Sequence, residues 1–274
     1  SMSSFESGTR AEESTRKAHK TTRDAATNPF INLYENVLLS TENWQDYDVV
    51  GISIVGISQI IPGLTLARMI KEKYPHLHIT LGGPIFSVNA GQLIGHPEFF
   101  DDFCHSVVTF EGEEPMHRLL SALKAGNSLS TVPNLLHLDG REVVQNKERV
   151  ELRFEELPHP DFDGLPMDKY LSPYPILPVL QSRGCYWGKC TFCTHSFVYG
   201  HRYGKQKTQA MVDELEKLMK KYNTKYFTFS DEAVSPHSLN DVSEEMIERG
   251  VEIRSLALLK FEKVMDEELF GKMK

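Results

Sequence analysis

Apolar positions along the chain alternate between two rhythms. Residues 48–56, DVVGISIVG, are β-branched and almost continuously apolar, the pattern of a strand buried on both faces. From Leu64 to Tyr74 the rhythm changes. Leu64, Leu66, Ala67, Ile70 and Tyr74 recur at helical spacing until Pro75 blocks continuation. LHITLGG (77–83) predicts a second strand ending in Gly82–Gly83, and a short helix follows near Ala90–Ile94. SVVTFEG (106–112) predicts a third strand and Pro115–Ala125 a third helix, with Gly126 as its stop. PNLLHLDGREVV (133–144) predicts a hairpin about Asp139–Gly140. Strand and helix alternate up to that hairpin, which predicts an α/β fold with a Rossmann-like parallel sheet. Its binding crevice would lie at the C-terminal ends of the strands.

The pattern then breaks. Six of the fourteen prolines lie between Pro158 and Pro178, as in an extended, semi-rigid linker. Beyond it the rhythm restarts. Strands are predicted at 177–184, 225–232 and 251–261, with helices at 208–222 and 238–249, the latter stopped by Gly250, and a further helix from about Val264. Val212, Leu215, Leu218, Met219 and Tyr222 share one face of helix 208–222. Three successive βα units suggest the first half of a partial TIM-type barrel. The expected division is a mobile tail (1–28), a Rossmann-like domain (29–150), a linker (151–176) and the start of the barrel (177–274). A half barrel exposes the edge of strand 251–261. The chain is therefore expected to be a piece of a longer enzyme, inactive alone, that dimerises through that edge or is poorly ordered there.

Composition narrows the partners. The chain has 274 residues, a net charge of −8 and no Lys/Arg run longer than three, so nothing resembles a nucleic-acid-binding stripe. The stretch from Val49 to Ala67 carries no charge over 19 residues, long enough to suggest a membrane span. Ser53, Ser58, Gln59, Pro62 and Gly63 interrupt it, and it reads as strand, turn and helix start. With no signal-peptide core near the N-terminus, the expected location is the cytoplasm.

The chemistry concentrates in RGCYWGKCTFCTHSF, residues 183–197, which holds three of the four cysteines. Cys185, Cys190 and Cys193 follow the spacing C-x4-C-x2-C. Buried structural thiols are one reading, though such clustering is hard to explain by packing. A Cys3His zinc site completed by His195 is a second, giving a non-catalytic zinc-stapled α/β binding module; structural zinc sites usually split their ligands into two separated pairs. Iron–sulfur is the third. The spacing opens a plant-type 2Fe–2S pattern, but no cysteine follows Cys193 and Cys104 belongs to the other domain. Three thiolates suit a 4Fe–4S cubane with one iron left open.

SRGCYWGKCTFC resembles the cluster motif of the radical S-adenosylmethionine superfamily, whose commonest spacing is C-x3-C-x2-C. Here the first gap is one residue longer, a departure seen in some branches. The resemblance implies a 4Fe–4S cluster on Cys185, Cys190 and Cys193, with the methionine end of S-adenosylmethionine as fourth ligand. One-electron cleavage would then give a 5′-deoxyadenosyl radical that attacks an unreactive carbon. It also implies that Phe192 lies near the adenine and that Asp231 and Glu232, in FTFSDEAVS, meet the methionine amine. Plain solvated carboxylates are the alternative for the latter two. His201, Arg202 and Tyr203 read better as a polar loop than as site residues, and His195 at most supports a ligand. An external electron donor and an unidentified substrate are the implied partners.

DVVGIS, LARMIKEKYPHLHITLGGP, FEGEEPMHRLLSAL, PNLLHLDGREV and LPHPDF follow the order seen in radical enzymes with an N-terminal cobalamin-binding domain. That resemblance covers roughly residues 47–261. It implies cobalamin contacts from Ser53, Gly82, Gly83 and Glu111, and methyl transfer to carbon as the outcome. Two features depart from it. No Asp-x-His-x-x-Gly segment is present, so a histidine ligand to cobalt has no support, and no first strand is evident before Asp48.

Overall fold

The computed structural model describes residues 15–150 and 152–274, which divide into two units at residues 151/152. In the first unit, strands β1 (Val49–Ser53), β2 (His78–Gly82), β3 (Ser106–Val108), β4 (Leu135–Asp139) and β5 (Glu142–Gln145) form one sheet in chain order. β1, β2 and β3 are parallel, whereas β4 and β5 add an antiparallel hairpin.

Alternation along the short strands builds two apolar layers. Val107 and Leu136 point into a cluster formed with helices Ile60–Lys73, Pro84–Leu93 and Pro97–Phe103. Their neighbours Val108 and Leu135 point the other way, towards Leu119 and Ala122 of helix Glu113–Ala125. Both faces of the sheet are thus covered by helices, the reason its strands read as unbroken apolar runs. Pro62 and Gly63 lie in the first turn of helix Ile60–Lys73, where proline is tolerated. Among the described residues no helix is long and apolar enough to cross a membrane.

Two expectations change here. The helix expected at Ala90–Ile94 runs from Pro84 to Leu93, starting directly on Gly83. Of the stretch expected to be a mobile tail, residues 1–14 lie outside the described residues, and 15–28 pack on helix Ile60–Lys73. Helix Thr15–Thr21 buries Ala18, the buried Asn28 amide donates to Thr65 Oγ1 at 2.9 Å, and Arg68 donates to the Thr22 carbonyl at 2.8 Å. Polar anchors, not an apolar stripe, hold this segment.

In the second unit, β6 (Ile176–Val179), β9 (Tyr226–Phe229) and β10 (Arg254–Leu256) form a parallel sheet in the order β10-β9-β6. Between β6 and β9 lies a short pair, β7 (Ser182–Arg183) with β8 (Gly204–Lys205), antiparallel. Helix Thr208–Tyr222 places Met211, Val212, Leu215 and Leu218 against Leu177, Val179 and Phe227. Leu215 is fully buried, so its truncation to alanine would cost about 2–5 kcal/mol. Helix Pro236–Arg249 starts on the Ser235 cap and stops at Gly250, whose φ is +66°.

The proline-rich segment belongs to this unit. Phe162 and Met167 pack on its core, the Phe162 N–H donates to the Tyr222 hydroxyl at 2.8 Å, and Tyr174 stacks on Tyr226 with centroids 3.8 Å apart. The strand expected over 251–261 is regular only at 254–256, at the sheet edge. The fold is mixed α/β with predominantly parallel sheets.

Candidate cofactor sites

The cysteine loop is rooted by a buried carboxylate. Asp231 follows β9 and is 2% exposed. Its Oδ2 accepts the Gln181 N–H at 3.0 Å, and its Oδ1 accepts the Ser182 N–H at 2.6 Å and the Ser182 hydroxyl at 2.5 Å. Burial pushes its carboxyl up, against the lowering effect of those bonds. Asp231 therefore fastens the chain immediately before the cysteines, and its oxygens already serve their own protein. Glu232, next in sequence, turns away and accepts from His195 Nδ1 at 2.9 Å. Burial raises its carboxyl and the histidine opposes this.

The next fixed point is Gly184. Its φ is +84°, and a Cβ there would lie 2.2 Å from the Arg202 carbonyl oxygen, so only glycine fits. Cys185 follows. Cys190 is exposed, Cys185 and Cys193 are half-buried, and none is paired in a disulfide. A turn joins two of them, with the Cys193 N–H on the Cys190 carbonyl at 3.2 Å. Among the described residues no three His, Cys, Asp or Glu side chains are already gathered at metal-binding distance. The thiols would be drawn together by what they bind, as is usual where binding completes folding.

The donor set nevertheless fits an iron–sulfur cluster: three free thiols on one loop whose start is rigidly held. An unsatisfied donor lies beside it. The Tyr203 hydroxyl is buried without a partner, and its ring meets that of Tyr186, the neighbour of Cys185, edge-on at 6.2 Å. A ligand with acceptor atoms would satisfy it. Phe192 is 89% exposed, an apolar ring with no cover of its own. In the sequence Tyr203 reads as part of a polar loop, because residue order does not reveal that its hydroxyl is buried and orphaned.

In the first unit, Ser53, Gly82 and Glu111 lie at or just beyond the C-terminal ends of the neighbouring strands β1, β2 and β3. Ser53 pairs in register with Gly82 and is exposed. Gly83 has φ +108°, and a Cβ there would sit 2.3 Å from the Ile54 carbonyl oxygen. Phe110, just before Glu111, adopts φ +59°, held by its N–H on Ser87 Oγ at 2.6 Å and by the Arg149 guanidinium 3.8 Å from its ring. A bulky residue in this conformation is uncommon and tends to mark ligand sites. Val55 and Ile57, 61% and 66% exposed, project from the loop after β1. This edge offers two apolar side chains and a backbone approach at Gly82 and Gly83, which fits a large cofactor held through apolar and backbone contacts. Cys104 is far from such a role: it is buried in the apolar core and its thiol is pushed up by burial.

No protein-family model matches the chain. Curated relatives include an uncharacterized methyltransferase of Pyrococcus horikoshii, 28% identical over 212 residues, which cover 76% of this chain and 45% of that protein. Another is an anaerobic magnesium-protoporphyrin IX monomethyl ester cyclase of Cereibacter sphaeroides, 27% identical over 210 residues, covering 72% and 33%. The chain thus spans less than half the length of these relatives. Solved structures with the same fold include the cobalamin-dependent S-adenosylmethionine radical enzyme OxsB with aqua-cobalamin bound, at TM-score 0.61 and 22% identity over 88% of this chain and 34% of that one. The radical S-adenosylmethionine methyltransferase TsrM of Kitasatospora setae, with tryptophan and a cosubstrate analogue, matches at TM-score 0.62 and 19% identity over 91% and 49%. The resemblance to radical S-adenosylmethionine enzymes with an N-terminal cobalamin-binding-type domain therefore holds in fold as well as in motif.

Proposed function

We propose that this chain is the cofactor-binding part of a cobalamin-dependent radical S-adenosylmethionine enzyme that modifies an unreactive carbon, with methyl transfer as the outcome. What supports this most is one loop: Cys185, Cys190 and Cys193, free and rooted by Asp231 at the end of a parallel strand. A 4Fe–4S cluster there would supply the electron that cleaves the cosubstrate's carbon–sulfur bond. The chain's own residues do the rest. Gly184 and Asp231 fix where the loop leaves the sheet. Glu232, a carboxylate beside the loop, attracts the methionine ammonium, with His195 holding its orientation. Phe192 offers an uncovered ring to the adenine, and Tyr203 donates to an acceptor in the bound ligand.

Asp231, with its oxygens already occupied, supports the site from below. β6, β9 and β10, parallel and in chain order, are the start of the partial barrel. Ser53, Gly82, Gly83 and Glu111 meet cobalamin through backbone and polar contacts, with no histidine on cobalt. An external reductant and the substrate complete the system.

Anaerobic reconstitution tests the first step. The chain should take up about four irons and four sulfides and turn brown, and Cys190→Ala should lose both. A colourless protein holding one zinc, or full iron loading in Cys190→Ala, would overturn the assignment.

A further inference from the structure

The first gap of the cysteine motif is four residues long, Tyr186-Trp187-Gly188-Lys189, and all of it is accounted for. Gly188 turns the backbone with φ +58°. The Tyr186 hydroxyl donates to Glu262 Oε1 at 2.7 Å. The Lys260 ammonium lies 3.7 Å from the centroid of the Trp187 ring, and Lys189 approaches the same ring at 5.0 Å. Lys260 and Glu262 close the circuit at 3.2 Å. The chain just before Lys260 is itself held, because the Val234 N–H donates to the Leu258 carbonyl at 2.9 Å and Val234 pairs with Leu259. Two side-chain ties thus run from the gap to the chain beyond β10.

We infer that Tyr186, Trp187, Lys260 and Glu262 form a latch that positions the cysteine gap and sets the charge around whatever the thiols hold. The inference rests on the cluster assignment above. The four are positioning residues: none is a ligand, and each acts through the loop. A longer gap gives the loop more slack, and the latch removes it. It also places two ammonium groups, Lys189 and Lys260, against one indole two residues from Cys185. Positive charge near a cluster favours its reduced form, and negative charge disfavours it.

Two measurements on the 274-residue chain separate this from the cluster assignment. Trp44 and Trp187 are the two tryptophans, so in a metal-free Trp44→Phe background the emission reports Trp187 alone. Lys260→Met should brighten that emission by removing an ammonium that quenches the indole, and unchanged emission would overturn the latch. In the reconstituted chain, Lys260→Met should move the reduction midpoint negative and Glu262→Gln positive. Each shift is expected to be about threefold in the reduction equilibrium, or ~28 mV for one electron. Opposite signs cannot come from a loop that has merely loosened. Shifts of the same sign, or none, would overturn the inference. If the unaltered chain takes up no iron, the cluster assignment fails, while the emission measurement still decides whether the latch exists.

Discussion

Replacing Asp231 by alanine should detach the root of the cysteine loop. The carboxylate is 2% exposed and accepts three hydrogen bonds at 2.5–3.0 Å, two from backbone N–H groups and one from a hydroxyl. Alanine leaves these donors buried and unpaired, at about 1–3 kcal/mol each. Part of that loss is returned, because burial opposes the carboxylate's charge strongly enough to raise its carboxyl. The expected net cost is therefore about 3–5 kcal/mol. In Asp231→Asn the amide oxygen would still accept from Ser182, but the amide N–H₂ would face the Gln181 N–H, costing about 1–2 kcal/mol. Urea unfolding followed by Trp187 in a Trp44→Phe background reads the second unit, where both Trp187 and Asp231 lie. A loss under about 1 kcal/mol for Asp231→Ala would refute the view that this carboxylate carries the loop.

Gly184→Ala should destabilise the second unit by ~3 kcal/mol or more and lower iron uptake, since it combines a left-handed backbone with a Cβ 2.2 Å from a carbonyl oxygen; thermal unfolding and iron content check it. The first unit should lose stability as pH falls. Burial and nearby positive charge push His78 and His105 down to about 4 from 6.5. The unfolded chain therefore takes up protons that the folded one refuses. Stability is fully present above 6.5 and declines as pH falls towards 4, by about 2–3 kcal/mol for the pair after allowing for their partial exposure. Urea unfolding followed by Trp44 in a Trp187→Phe background should show this, and His78→Gln should flatten it. Gly83→Ala should abolish retention of hydroxocobalamin, measured by its spectrum after gel filtration, while loss of helix Pro84–Leu93 by circular dichroism would trace the effect to folding alone.

What the sequence revealed was local. Helix Thr208–Tyr222 and the stop at Gly250 follow from an apolar stripe and a left-handed cap, both written in adjacent residues. The three-cysteine loop was legible for the same reason. Most of helix Pro84–Leu93 escapes sequence reading because SVNAGQL mixes small and polar residues with no clear stripe. The order in 15–28 rests on Asn28–Thr65 and Arg68–Thr22 bonds, which no periodicity encodes. Asp231 and Glu232 look equivalent as neighbours. Only the fold shows that one points at the backbone of β6's exit and the other at His195.

Both sheets arrange their strands in the order in which the chain supplies them. β1 through β5 lie side by side in sequence, and so do β6, β9 and β10. Each new strand in the first sheet docks on the one before it, so every pairing closes a loop of modest length. Such a topology keeps contact order low for a sheet that mixes parallel and antiparallel pairs. At a synthesis rate of roughly 5–20 residues per second, the first sheet has all its strands before the second has begun to emerge. The first unit can thus fold as it is made, and the cysteine loop enters a cell in which its neighbour is already finished.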